Sequence, residues 1–518
     1  MTIGQNSRPD LYLGLVGAAG SDLEPVKNQL RAQLAALGYN YQEIKLSRII
    51  AEFSDLDTSG MSEDDRVHAL MNAGDRIRQA YNKGDGVMCL AATEIRRIRR
   101  GENEETPLAV GSTAFVIDSL KNPAEVRTLR RVYGRNFLLI SVYCPTSDRV
   151  AKLAKRISAS HNTNTRDEHY EAAKKLIEED EKRDASDLSQ DVQSTFPMAD
   201  LFVSHEDSIE VQIKRFVELV FGQPFHTPTI HEYMMFVAKA AALRSCDLSR
   251  QVGAVIAEPL GAIVSTGCND VPYPGGGIFY PGREGAKDNR DHTVEYDPNA
   301  SEIENSIREV VKAFRNAGML GADVAERTDD ELATALVHGE WKPHLGDARV
   351  RNLIEFGRVV HAEMNALAEA ARFGRSTQGT TLYCTTFPCH ICARHIIAAG
   401  ITKVQFIEPY PKSMTKTLYA AEIKTDDSPG KLPSTVEFRP FTGIAPRFYQ
   451  RVFEYRPRKN RTGTIVHWNG DNALPVDSAI GISNMELEQN LSAQVAMLQE
   501  LIHNAENGEG AGEAEHAR

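Results

Sequence analysis

No run of about eighteen apolar residues occurs in the 518-residue chain, so no helix is expected to span a bilayer. The opening residues, Met1-Thr2-Ile3-Gly4-Gln5-Asn6-Ser7-Arg8, lack the basic and apolar regions of a signal peptide, and a cytoplasmic location is expected. Aromatic residues make up only 7% and the formal net charge is −12. A protein that grips long nucleic acid through its phosphates needs a basic face, which this balance argues against. Two local basic runs, Arg96-Arg97-Ile98-Arg99-Arg100 and Arg456-Pro457-Arg458-Lys459-Asn460-Arg461, read as solvated surface and keep an RNA partner open. The seven cysteines are odd in number and scattered, which points to reduced thiols rather than a disulfide framework. No internal repeat is evident. What remains, at 42% hydrophobic and 25% charged residues, is a globular composition, long enough for about three domains.

Against these absences stands one concentration of metal-binding chemistry. Val359-Val360-His361-Ala362-Glu363-Met364-Asn365-Ala366 is followed by Pro388-Cys389-His390-Ile391-Cys392, and each cluster is expected to open a helix. A catalytic zinc takes three protein ligands and leaves a fourth position for water, which suits His361, Cys389 and Cys392. Cys389 and Cys392 stand about one helical turn apart, so both sulfurs project to one side, with Pro388 just before that turn. The N–H groups at a helix start favour thiolate over thiol. Glu363, close behind His361, can reach the water without entering the metal's ligand set, as a proton carrier must. Between the clusters a helix continues through 366–372, Gly379 turns, and Thr381–Thr386 reads as a buried strand. H-x-E followed by P-C-x-x-C is the pattern of zinc-dependent nucleobase deaminases, in which activated water attacks the ring carbon bearing the amine and ammonia leaves. His390, His395 and Cys384 read as neighbours of the metal rather than ligands.

The front of the chain is built differently. An apolar strand over Leu11–Val16 enters Gly17-Ala18-Ala19-Gly20-Ser21, and residues 24–37 are predicted helical with Val26, Leu30, Leu34 and Leu37 on one side. Strand, glycine turn and helix are the layout of a phosphate-binding loop, which makes Gly14, Gly17, Gly20 and Ser21 candidate nucleotide-binding positions. The lysine of such a loop is missing in either register, its slot holding Gly20 or Ser21. Kinase chemistry is therefore not expected. Backbone amides at a helix start can still sense a nucleotide; a scaffold without a ligand is the alternative. Strands at 39–46, at Thr113–Asp118 with its Walker B-like acid, at Phe137–Tyr143 and at 199–203 alternate with helices, which implies a parallel sheet. The polar stretch 157–194 reads as a lid-like helical excursion.

Beyond the break at Gly222-Gln223-Pro224-Phe225-His226-Thr227-Pro228 come Arg250-Gln251-Val252-Gly253-Ala254 and Gly267-Cys268-Asn269-Asp270-Val271-Pro272. With the two metal clusters, these motifs resemble the deoxycytidylate deaminases over roughly 228–420. The resemblance implies zinc-dependent hydrolytic deamination of a free deoxycytidine nucleotide, dCMP or dCTP. It makes Glu363 the general acid/base, gives the deoxyribose to Asn269, and sets Ala362 against the substrate. Lys412 is a candidate for the substrate phosphates, as are Lys287, Arg290 and His292. Cys268 stands where the family usually has an aromatic. The glycine-loop half, Gly275-Gly276-Gly277 and Glu408-Pro409-Tyr410-Pro411-Lys412-Ser413 look more specifically like bacterial anti-phage deaminases with a fused P-loop domain. That likeness implies depletion of deoxycytidine nucleotides during infection, with a regulatory nucleotide and an inhibitory RNA as candidate partners, no membrane, and a homo-oligomer.

The expected fold class is α/β: an N-terminal P-loop kinase-like parallel sheet, and a C-terminal cytidine-deaminase-like α/β/α sandwich of about five strands. The expected domains are 1–224, regulatory; 225–465, the deaminase with an insertion at about 283–350; and 466–518, a helix and a disordered acidic tail. In the insertion, Ser301 is expected to cap a helix bearing Ile303, Ile307, Val310, Val311 and Phe314. Near the end, Leu487, Leu491, Val495, Leu498 and Leu501 fall near heptad spacing, which suits packing onto another subunit. Two other functions stay open. A deaminase of cytosine or adenine in RNA or DNA calls for stacking aromatics and a basic channel. A nucleotide- or RNA-binding regulatory module would make the deaminase half secondary.

Overall fold

Strands alternating with helices gather into two six-stranded sheets in the computed structural model, which describes residues 8–100, 111–162, 169–181, 188–282, 287–346, 348–410, 413–425, 435–476 and 482–506. The backbone divides into two compact units, Met1–Tyr233 with Pro440–Arg518, and Met234–Arg439. The expected deaminase region ran on to 465. Residues after Pro440 instead return to the first unit, where the Pro446–Phe453 helix packs on the Ile209–Val220 helix.

In the first unit, β1 (Leu11–Val16), β2 (Asn40–Lys45), β3 (Thr113–Asp118), β4 (Phe137–Tyr143) and β5 (Leu201–Ser204) lie parallel in the order β5-β4-β1-β3-β2. Gly443–Ile444 adds an antiparallel edge on β5. Every residue of β1 is buried, as a strand covered on both faces requires. The Glu24–Ala36 helix buries Val26, Leu30 and Leu34 as its periodicity predicts, together with Lys27.

The C-terminal helix Ile482–Glu506 corrects one expectation. Leu498 is fully buried, and Leu491 and Val495 pack into the core beneath the Val87–Arg100 helix, so this middle part of the apolar seam is covered by its own chain rather than by another subunit, while Leu487 is exposed. Glu488, also fully buried, pairs with Arg99 at 2.8 Å, and Arg99 pairs with Asp10 at 3.1 Å. The basic run 96–100 is thus not simply solvated surface. The expected disordered tail, 507–518, lies outside the described residues.

The second unit is ordered β10-β11-β9-β8-β6-β7, with β6 Gly253–Ala257, β7 Ile263–Cys268, β8 Thr381–Thr386, β9 Lys403–Glu408, β10 Ile423–Lys424 and β11 Val436–Pro440. β7-β6-β8 is antiparallel and β8-β9 parallel. Two glycines show how helices cover both faces. A Cβ at Gly253 would lie 1.9 Å from the Ala238 carbonyl oxygen, and one at Gly267 2.2 Å from that of Ala362. Gly253 opposes Cys268, the residue after Gly267, and neighbours on a strand point to opposite faces. The Ile230–Ala242 and Ala362–Arg372 helices therefore sandwich this part of the sheet, as an α/β/α arrangement demands.

In the insertion, the helix is Pro298–Asn316 and its cap is Asp297, whose carboxylate accepts from the Asn299 and Ala300 N–H groups; Ser301 lies inside it. Pro298 at the first position fixes the start. Ile303, Ile307 and Val311 are covered by Leu332 and Ala333 of the Asp329–Val337 helix. Among the described residues no helix is long and apolar enough to cross a membrane.

Candidate active site

The two metal clusters open helices, as the spacing implies. His361, with extended backbone, is the residue before the Ala362–Arg372 helix, and Cys389 stands in the same place before His390–Ala398, its sulfur accepting from the Cys392 N–H at 3.4 Å. One helix start thus carries the imidazole and Glu363, the other both sulfurs. The His361 Nδ1 lies 3.3 Å from Cys389 Sγ and 3.4 Å from Cys392 Sγ, and all three ligand atoms fall within 4.8 Å of one another.

These distances fit a metal. With zinc–nitrogen and zinc–sulfur bonds of about 2.0 and 2.3 Å, the edge of a tetrahedron between N and S is roughly 3.5 Å. One imidazole and two thiols are also a borderline-soft donor set that suits zinc. The thiols polarise each other. Hydrogen bonding from Cys392, then from His361, pulls Cys389 well below the usual thiol range and favours its thiolate. The same Cys389 contact raises Cys392, and Cys389 raises His361. Glu363 is 4% exposed; burial, reinforced by the Cys389 charge, lifts its carboxyl above the ordinary range. Cys384, fully buried behind the site, is raised chiefly by burial.

Several groups fix the helix that carries His361 and Glu363. Gly267 lets it approach β7, Asn365 Nδ2 donates to the Cys268 carbonyl at 2.9 Å, and Ser265 Oγ donates to the Ala366 carbonyl at 2.7 Å. Val360 and Asp270 exchange backbone hydrogen bonds of 3.0 and 3.3 Å, which brings the Asn269 loop beside the metal ligands.

The expected substrate residues fare differently. Ala362 is fully buried in the helix start. Asn269 is 7% exposed, and both ends of its amide meet main chain: Oδ1 accepts from the Val252 N–H and Nδ2 donates to the Arg250 carbonyl, each at 2.7 Å. In this conformation it braces the 250–252 segment. Arg290 is committed to Asp288 at 2.6 Å, and Lys412 lies outside the described residues. The residue to which no role had been given is Arg250. Its guanidinium is exposed, on the loop that Asn269 braces, 5.9 Å from the ring centre of Tyr410, and Tyr410 feels both Arg250 and Cys389. Its occurrence in the Arg250-Gln251-Val252-Gly253 motif was the available signal.

In the first unit the loop candidates separate. Gly17, Gly20 and Ser21 line a cavity of about 720 Å³, whereas Gly14 lies inside β1 and packs toward Leu120 and Leu139.

Residues 228–408 match the family model described as the zinc-binding region of cytidine and deoxycytidylate deaminases. The deoxycytidylate deaminase of Enterobacteria phage T2 is 33% identical over 181 residues, covering 34% of this chain and 79% of that protein. A UPF0200 protein of Methanosarcina barkeri is 27% identical over 198 residues, 35% of this chain and 99% of that one. Among solved structures, the dCMP deaminase of cyanophage S-TIM5 in complex with dCMP and dUMP shares 20% identity over 42% of this chain and 98% of its own, with a TM-score of 0.23. Zinc is the cofactor that the matched region binds, and by its likeness to the phage T2 enzyme, most of whose length it covers, this chain belongs to the cytidine and deoxycytidylate deaminase family.

Proposed function

We propose that the chain hydrolyses the C4 amine of the cytosine in a free deoxycytidine nucleotide, dCMP or dCTP, releasing the deoxyuridine nucleotide and ammonia. The observation that carries this reading is the meeting of one imidazole, two sulfurs and a buried carboxyl at the starts of two helices in contact. His361, Cys389 and Cys392 would hold zinc, which supplies the Lewis acidity that makes a water nucleophilic near neutral pH. The proton traffic falls to Glu363. Its carboxylate accepts a proton from the attacking water and gives it to ring N3 as the C4–O bond forms. It then carries the second proton of that oxygen to the amine, the C4–N bond breaks, and ammonia leaves.

Arg250 is the proposed partner of the substrate phosphates, with Lys287 and Lys412 as further cations. Asn269 serves the sugar side by fixing the Arg250–Val252 loop, and Ala362 forms the wall behind Glu363. Residues 1–224 we read as a P-loop kinase-like regulatory domain, on the support of a glycine loop that joins β1 to the following helix and lines a cavity. Depletion of deoxycytidine nucleotides during phage infection, restraint by an RNA and self-association are proposed with it, from the family likeness.

The test is ammonia release from zinc-loaded protein offered dCMP, dCTP and a cytosine-containing oligonucleotide. Turnover of a mononucleotide is expected and fixes the phosphate count; turnover of the oligonucleotide alone overturns the free-nucleotide reading in favour of editing.

A further inference from the structure

The cavity at the glycine loop already holds an anion, and that anion belongs to the chain. Asp180, 2% exposed and near the end of the Tyr170–Glu181 helix, accepts a 2.7 Å hydrogen bond from the Ala19 N–H through Oδ2. Lys121 Nζ lies 3.1 and 3.2 Å from its two oxygens, and also donates to the Gly17 carbonyl at 3.1 Å. A backbone amide of a glycine turn and a lysine on one carboxylate are the donors that such loops offer to a phosphoryl group.

Asp180 is poorly placed for its own helix. The last turn carries no basic residue, and a negative charge at a helix C-terminus is opposed by the macrodipole. Other groups in the cavity remain unmatched. The Ser21 Oγ and the Gln190 Oε1 are buried atoms without a hydrogen-bond partner among the described residues, and both residues line the cavity. Lys152 and Lys155 also line it, with no ion pair among the described residues. Asp118, the acid that would attract a divalent cation, is already held by Lys27 at 2.9 Å.

We propose that Asp180 is an internal stand-in for a phosphoryl group, and that the cavity takes a phosphate chain by exchanging it for Asp180, which releases the end of the Tyr170–Glu181 helix. The inference rests on the reading of this unit as a phosphate-binding domain. Lys121 and the Ala19 amide pass to the phosphate, while Ser21, Lys152 and Lys155 gain the partner they lack among the described residues. Paired as it is with Lys27, Asp118 leaves the binding independent of Mg²⁺.

Calorimetric titration of the full chain with inorganic tripolyphosphate and with ATP, free of divalent metal, tests this. Asp180→Asn and Asp180→Ala are expected to bind about tenfold more tightly than the unaltered chain, the factor for a carboxylate seated about nine-tenths of the time. Saturation of the unaltered chain should speed hydrogen exchange across 170–180, a readout that does not depend on either variant folding. Tighter binding of ATP than of tripolyphosphate assigns the chain to a nucleotide, and equal binding assigns it to a free polyphosphate; both sustain the exchange. Equal affinity in all three proteins, with exchange unchanged, overturns the Asp180 plug and leaves the phosphate-binding reading intact. Absence of binding in every protein overturns both.

Discussion

Replacing Gly267 with alanine presses on a close backbone approach that helps set the depth of the helix carrying His361 and Glu363. The added Cβ would lie 2.2 Å from the Ala362 carbonyl oxygen, 2.5 Å from the Ala366 nitrogen and 3.1 Å from the Ala366 Cα. All three are backbone atoms, so no rotamer relieves the clash. Restoring an ordinary contact of about 3.5 Å moves the helix start by roughly 1 Å away from β7. Overpacking of this kind costs about 1–3 kcal/mol of stability, and a 1 Å misplacement of reacting groups costs on the order of 100-fold in turnover. Because Cys389 and Cys392 come from another helix, the shift also opens the N–S distances of 3.3 and 3.4 Å. Gly267→Ala should therefore show substoichiometric zinc by a chromogenic chelator, a lower melting temperature and turnover lowered about 100-fold. Gly357→Ala is the control, since its Cβ would come no closer than 3.7 Å to any other group. Full zinc and turnover within twofold of the unaltered chain in Gly267→Ala would refute the claim that this approach positions the site.

Arg250→Ala should raise KM for the nucleotide by roughly 10- to 100-fold, the worth of a charge-assisted hydrogen bond, while leaving turnover of deoxycytidine itself unchanged; equal effects on both substrates would remove Arg250 from the phosphate. Glu488→Ala removes one of the two carboxylates, with Asp10, that hold the buried Arg99 and should cost about 1.5–3 kcal/mol, read from the urea midpoint; a loss under 1 kcal/mol would show the pair solvated. Burial raises the Asp200 carboxyl to about 6, against partial compensation by Arg130. The folded protein then holds this proton more tightly than the unfolded chain does, so the group's stabilisation is full below about pH 4 and is lost as pH rises through about 6. Asp200→Asn should flatten that part of the stability profile, and an unchanged slope between pH 4 and 6 would count against it.

The metal site was legible because its chemistry is local. Pro388, Cys389 and Cys392 specify a helix start and two sulfurs within one turn, and His361 and Glu363 do the same for the other helix, leaving only their convergence to the fold. The repeated apolar seam of the last helix was equally legible, but periodicity says that a face is buried and not what buries it. Arg99 sits in a run of charges, and the partner that pulls it inside lies 389 residues away. The insertion helix was capped one turn too late because Asp297 followed by Pro298 is a stronger start than Ser301. Asn269 is a different case. Its amide closes on the Arg250 and Val252 backbone, an arrangement that the motif alone does not reveal. The glycine loop was visible as strand, turn and helix, whereas Asp180 could not be paired with it from a helix 161 residues downstream of Ala19.

The central claim is that Glu363 moves protons beside a metal that it does not hold. Glu363→Gln keeps the size of the side chain and removes its acid–base function, so zinc content and ammonia release should be measured on the same preparation with saturating dCMP or dCTP. One zinc per chain with turnover lowered by about 1000-fold or more, toward the upper end of the effect of a positioned acid–base group, is the predicted result. Turnover near that of the unaltered chain, or loss of zinc in step with turnover, would contradict it.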